Sequence, residues 1–218
     1  MNYKDFINHC QVAEVEEALK SSIGKLMVIS GKNGIGKTGV IVQVAIDHML
    51  QGEDIIHISF ANRVDHILEW YDTIFYELAQ AAGLDRHNLR EEMGHRRMLL
   101  HFVQKPDSIA KLIENINAVR ASLMPDIRIL CIDGFNFTAG DPKEIAELKN
   151  NAKKNGFQIW TTIDSENEAT IGPYESLIDA HLYMREEGGN IDLHLRTPDA
   201  GALKVKLDPK TFLLKSLK

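Results

Sequence analysis

Apolar and polar positions fall into blocks along this chain, and the spacing within each block switches between that of a buried strand and that of a helix. Leu26-Met27-Val28-Ile29 is an unbroken apolar run and reads as a strand covered on both faces. A helical stripe follows at Val40, Ile41, Val44, Ala45 and His48, and it stops at Gln51-Gly52 just beyond Leu50. Ile55-Ile56-His57-Ile58-Ser59-Phe60 is short and β-branched, a second strand. From Val64 the apolar positions 64, 67, 68, 71, 74, 75 and 78 keep one helical face that ends at Gly83. Residues 84–97 are polar and rich in arginine and histidine, a loop or mobile helical hairpin, and Met98 to Val103 is a third strand.

Pro106-Asp107-Ser108 caps a helix whose apolar face is Ile109, Leu112, Ile113, Ile116, Val119 and Leu123. The run Ile127 to Ile132 then leads directly into Asp133. Another capped helix starts near Asp141-Pro142, stops at Asn155-Gly156, and hands over to the strand Phe157 to Thr162. The tail changes character. His181 to Arg185, Ile191 to Arg196 and Leu203 to Leu207 are strand-like runs divided by Gly188-Gly189-Asn190 and by Thr197-Pro198-Asp199-Ala200-Gly201, an antiparallel meander. Strands alternating with helices and then hairpins predict an α/β fold. Its mainly parallel central sheet is flanked by helices, and the C-terminal antiparallel meander lies at one edge. Phe6, Ile7, Val12, Val15 and Leu19 among acids predict a helical lead-in within residues 1–22. The length of 218 residues suits a single domain, 1–218, with no repeat or linker.

Composition narrows the classes of function. Apolar content of 44% and charged content of 26% are those of a soluble globular protein. A net charge of −6 argues against binding nucleic acid through a broad basic surface, so any such contact is confined to a patch. The two cysteines, Cys10 and Cys131, do not make a disulfide framework. The first residues lack a signal peptide's basic start and apolar run, and no apolar segment reaches the ~18 residues of a membrane span, so the expected location is the cytoplasm.

The chemistry concentrates in Gly31-Lys32-Asn33-Gly34-Ile35-Gly36-Lys37-Thr38, a complete G-x-x-x-x-G-K-[ST] phosphate loop between a strand and a helix. Its glycines turn tightly and leave backbone N–H groups free for phosphate oxygens. Lys37 would neutralise the terminal phosphates, Thr38 would ligate a magnesium ion held mainly by phosphate and water, and the helix opening at Lys37 adds its positive end. A carboxylate from a neighbouring strand completes such a site, and Asp133, at the end of an apolar strand, is placed for it. Asp133-Gly134 also suits a plain turn, and the two roles are compatible.

Together these motifs resemble the RecA-like branch of phosphate-loop ATPases, within it the KaiC-type and DnaB-type (replicative helicase) families, from about Gly24 to Leu214. The resemblance implies binding of ATP or ADP with magnesium, and a homo-oligomer, a hexameric ring among the forms open to it. Arg196, followed by Gly201 and the strand Leu203 to Leu207, is similar to the closing hairpin whose basic residues reach a neighbouring subunit's nucleotide. The adenine base is implied by the resemblance alone.

Departures from the family shape the functional expectation. Where these families carry a glutamate that orients or deprotonates the attacking water, the second strand here ends Ser59-Phe60-Ala61-Asn62. Neither alanine nor an amide accepts a proton at neutral pH. Losing a positioned base removes about 10²–10⁴-fold in rate. Asp164 stands where DnaB-type domains carry a glutamine, and His194 where a lysine commonly precedes the arginine. The expectation is a protein that binds ATP, hydrolyses it slowly or not at all, and uses occupancy as an assembly or regulatory switch. Asp65, Asp164 and Glu166 are candidate substitute bases. The alternatives are a DNA-dependent helicase motor and a purely structural subunit. Arg86, His87, Arg90, His95, Arg96 and Arg97 form the densest basic stretch, which could face DNA or a partner, or simply solvent. The nine histidines lack metal-ligand spacing, and Trp70, Tyr71, Phe75 and Tyr76 lie in a stripe better suited to a core or subunit contact than to stacking bases.

Overall fold

The structure, a computed structural model, describes residues 23–83, 91, 93–103, 108–135, 138, 141–197 and 203–216. Its strands are β1 (Leu26–Gly31), β2 (Ile55–Ser59), β3 (Arg97–His101), β4 (Ile129–Asp133), β5 (Gln158–Asp164), β6 (Ala180–Glu187), β7 (Asn190–Arg196), β8 (Leu203–Leu207) and β9 (Leu214–Ser216). The helices are α1 (Lys37–Leu50), α2 (Val64–Ala82), α3 (Ile109–Leu123) and α4 (Pro142–Asn155), with a 3-10 segment at Glu168–Leu177. All the strands join one sheet in the order β3-β2-β4-β5-β1-β6-β7-β8-β9. Pairing is parallel from β3 through to β6 and antiparallel from β6 to β9. Strand β6 is the joint, parallel to β1 on one side and antiparallel to β7 on the other.

Successive strand residues point to opposite faces, and both faces are covered. Met27, Ile29, Ile55, Ile129, Cys131 and Trp160 pack on the side of α1 and α2. Leu26, Val28, Ile56, Ile58, Leu130, Ile132 and Ile159 pack on the side of α3 and α4. Each such side chain contributes about 1.5–3 kcal/mol by leaving water. The predicted caps hold: Ser108 accepts from Lys111 N at 3.2 Å, and Asp141 accepts from Lys143 N at 2.8 Å with Pro142 beginning α4. Helix α2 ends, as expected, at Gly83.

The structure differs from the sequence expectation in several places. Strand β3 begins at Arg97 and ends at His101, and Val103, expected inside it, is 89% exposed. Strand β5 runs to Asp164 because it pairs with β1 from Ile159 onward, out to Gly31. Strand β9 and the 3-10 segment were not anticipated. Helix α1 is buried along every residue except Thr38, not along one stripe, because Val42, Ile46, Met49 and Leu50 are apolar as well. Of the basic stretch, Arg96 bonds to Gly52 O at 2.6 Å and Arg97 lies over the Tyr71 ring at 4.7 Å. Arg86, His87 and Arg90 lie outside the described residues, as do the lead-in at 1–22 and most of the expected loop at 84–97. Tyr71 and Phe75 are core residues. No described helix is long and apolar enough to cross a membrane.

Besides apolar packing, the end of the closing meander is hydrogen-bonded to α1 through Gln43. Gln43 Oε1 accepts from Leu214 N at 2.9 Å, and its Nε2 donates to Phe212 O. Replacing Gln43 with leucine would strand these buried backbone groups, at about 1–3 kcal/mol for a lost partner. The expected result is a urea midpoint lowered accordingly with an unchanged slope, measured by equilibrium unfolding.

Candidate functional site

The Gly31–Thr38 segment leaves the carboxyl end of β1 and turns into α1, with Lys32, Asn33 and Gly34 exposed at its tip. Gly36 occupies the position before α1 in the left-handed region, φ 101°, where a side chain would be strained. A Cβ there would also come within 3.0 Å of Leu207 Cδ2, so the meander closes over the loop's base. Gly36 gives α1 no side-chain cap for its first N–H groups, a setting that favours anions. Lys37 is only 8% exposed, and its Nζ donates to Gly31 O at 3.0 Å and Lys32 O at 2.7 Å. Asp164 Oδ1 lies 2.8 Å from the same Nζ.

Asp133 stands at the end of β4, 2% exposed. The sequence reading placed its strand next to the loop's strand, but β5 lies between them. The gap is bridged by side chains. Thr162 of β5 donates to Asp133 Oδ1 at 2.5 Å and accepts from Gly134 N at 2.8 Å. Across the gap, Thr38 Oγ1 donates to Asp133 Oδ2 at 3.1 Å. Asn62 Nδ2 reaches the same oxygen at 3.3 Å. The loop hydroxyl and the strand-end carboxylate, far apart in sequence, therefore meet at one sheet edge.

Ala61 and Asn62 close the other side of Asp133. Asn62 N donates to Ser59 Oγ at 2.9 Å, which fixes the turn after β2. Gly134, at φ +76°, lies so close to this turn that a Cβ on it would come within 2.5 Å of Ala61 Cβ. An amide, not a carboxylate, thus sits beside Asp133. Among the substitute bases considered, Asp65 is turned to Arg63 at 3.4 Å and to His66 N, and Glu166 is exposed on the segment after β5. Asp164 is the one of the three in contact with Lys37.

Behind the loop, Ser30 Oγ and His181 Nε2 are 2.5 Å apart, joining β1 to β6. Burial, with the Arg196 charge added, pushes the His181 pKa down to about 4. Burial likewise pushes His57 down to about 4, against the pull of Asp133; its Nδ1 lies 3.0 Å from Tyr71 OH. Both imidazoles are neutral at pH 7. Burial and the Asp133 charge raise the Cys131 pKa, so that thiol is not a nucleophile. Arg196 is held by its own chain, Nε to Glu168 Oε1 at 2.7 Å, and His194 lies on β7 with it. Gly201 falls outside the described residues.

Sequence reasoning missed Thr162, the pairing of Asp164 with Lys37, and the clamp made by Gln43. The first two depend on β5 lying beside β1 in a particular register, which no local pattern encodes. Among the described residues no group of three or more His, Cys, Asp or Glu side chains gathers as a metal cage. A magnesium ion bound through phosphates needs only one or two protein oxygens, and Thr38 Oγ1 and Asp133 Oδ2, 3.1 Å apart, are oxygens that could serve such an ion. No family model matches the chain, and no curated protein matches it.

Proposed function

We propose that this protein is a RecA-like ATP-binding domain, related to the KaiC-type and DnaB-type families, that uses nucleotide occupancy as a switch and hydrolyses ATP slowly or not at all. The observation that carries the reading is the 3.1 Å contact between Thr38 Oγ1 and Asp133 Oδ2 at the foot of a glycine loop whose lysine is nearly buried. In this reading N–H groups of the Gly31–Thr38 loop other than that of Ile35, which donates to Lys32 O, hold the phosphates with the start of α1, and Lys37 neutralises the outermost ones. Thr38 and Asp133 would hold magnesium directly or through water. That ion, when bound, spreads the charge of the β- and γ-phosphates. Asn62 holds a water without taking its proton, which fits slow turnover. A homo-oligomer in which Arg196 leaves Glu168 for a neighbour's nucleotide completes the proposal.

Equilibrium binding of ATP with and without magnesium tests it, alongside steady-state hydrolysis with and without single-stranded DNA. Brisk turnover stimulated by DNA would favour a motor and remove the switch. Asp133→Asn is expected to keep metal-free ATP binding while cutting the gain that magnesium gives by about tenfold, a loss of ~1.4 kcal/mol. An unchanged magnesium dependence would take Asp133 out of the metal site.

A further inference from the structure

We propose that Asp164 is a built-in competitor for the nucleotide's phosphates: it pairs with Lys37 and must be displaced before a triphosphate can use that lysine. The inference rests on the ATP-binding reading above. Its geometry is fixed by the sheet. Gly31 and Asp164 are partners in the parallel ladder of β1 and β5, and Ser165 N donates to Gly31 O at 3.0 Å. Gly31 O also accepts from Lys37 Nζ at 3.0 Å, so one carbonyl ties the lysine and the strand end together. The carboxylate therefore stands beside the ammonium through backbone register, on a strand end and not on a wandering loop.

The two partners are unequal in a way that suits displacement. Lys37 is 8% exposed while the Asp164 side chain is 69% exposed. The buried lysine needs an anion, whereas the carboxylate can swing into water at little cost. Phosphate oxygens entering the loop offer more charge than one carboxylate and take over the same ammonium. Until they do, Asp164 satisfies Lys37 and puts a negative charge at the mouth that an incoming polyphosphate must meet. The consequence is weakened affinity with selectivity for ligands that carry several phosphates, since inorganic phosphate competes poorly with an attached counter-ion.

Asp164→Asn keeps the size of the side chain and removes its charge. The test is titration of wild type, Asp164→Asn and the neighbouring control Glu166→Gln with magnesium-AMPPNP, magnesium-ADP and inorganic phosphate, at 0.05 M and at about 0.5 M salt, with melting curves to verify folding. The expected result is binding about tenfold tighter in Asp164→Asn (about 1.4 kcal/mol) and unchanged in Glu166→Gln. The advantage should shrink at high salt, where exposed charges are screened beyond a few ångströms. Equal affinity in wild type and Asp164→Asn, both binding well, would overturn the competitor role and leave ATP binding standing. Weaker binding in Asp164→Asn would overturn it too, making Asp164 a ligand of the bound nucleotide or its metal. No binding by any variant at millimolar nucleotide would overturn both readings. Binding that first becomes measurable in Asp164→Asn would support both.

Discussion

Lys37→Ala is expected to abolish retention of magnesium-ATP, with affinity falling at least about 100-fold, or ~2.7 kcal/mol. The lysine is the nearly buried cation of the loop, held by Gly31 O, Lys32 O and Asp164. In the proposed site its removal deletes the charge that would face the phosphates, and it leaves the Asp164 carboxylate without its counter-ion. Lys37→Met separates loss of the ammonium from loss of packing, since it keeps most of the apolar stem and loses the charge with its hydrogen bonds to Gly31 O and Lys32 O. Both variants should bind poorly while Lys37→Met melts close to wild type. Titration calorimetry with AMPPNP checks the prediction, and affinity within threefold of wild type would dismiss nucleotide binding at this loop.

The second large effect is on stability in acid. His57 and His181 are neutral in the folded protein, their pKa values pushed down to about 4 by burial, whereas in the unfolded chain they titrate near 6.5. The unfolded state then binds more protons between these values, so folding is favoured above pH 6.5 and loses ground as pH falls towards 4. Each histidine accounts for about 3 kcal/mol across that window. Together they rival the 5–15 kcal/mol that typically holds a domain folded. Urea midpoints should drop steeply from pH 6.5 to 4.5. His181→Asn, which cannot be protonated there, should flatten the slope by about half while starting from lower stability at pH 7. Asp208, whose pKa is lowered chiefly by its hydrogen bond from Lys215, acts only below about pH 4 and does not confuse the test. Stability level between pH 7 and 5 would contradict the assignment.

Much of this fold could be read before any coordinates because its information is local. Unbroken apolar runs mark β1 and β4, Ser108 and Asp141 mark helix starts, and Gly83 and Gly156 mark helix ends. The glycine loop and the acid at the end of β4 were legible for the same reason. What failed to appear was the order of strands. The insertion of β5 between β4 and β1 is a choice among distant partners, and it alone brings Thr162 to Asp133 and Asp164 to Lys37. Strand β9 escaped notice because its three residues carry too little pattern; Gln43, from the far end of the chain, sets its place. The all-round burial of α1 was missed because a stripe of five positions accounts for one face, and the residues between them cover the rest.

That burial has a bearing on how the protein communicates. A helix with no free face cannot tilt or slide without carrying its neighbours along, since close-packed interiors transmit displacement instead of absorbing it. Anything that happens at the Gly31–Thr38 loop and pulls on α1 is felt by α2, by the sheet and, through Gln43, by the last strand. Beyond the first turn at the loop, where Thr38 is not buried, a protein partner can touch only the elements that cover α1.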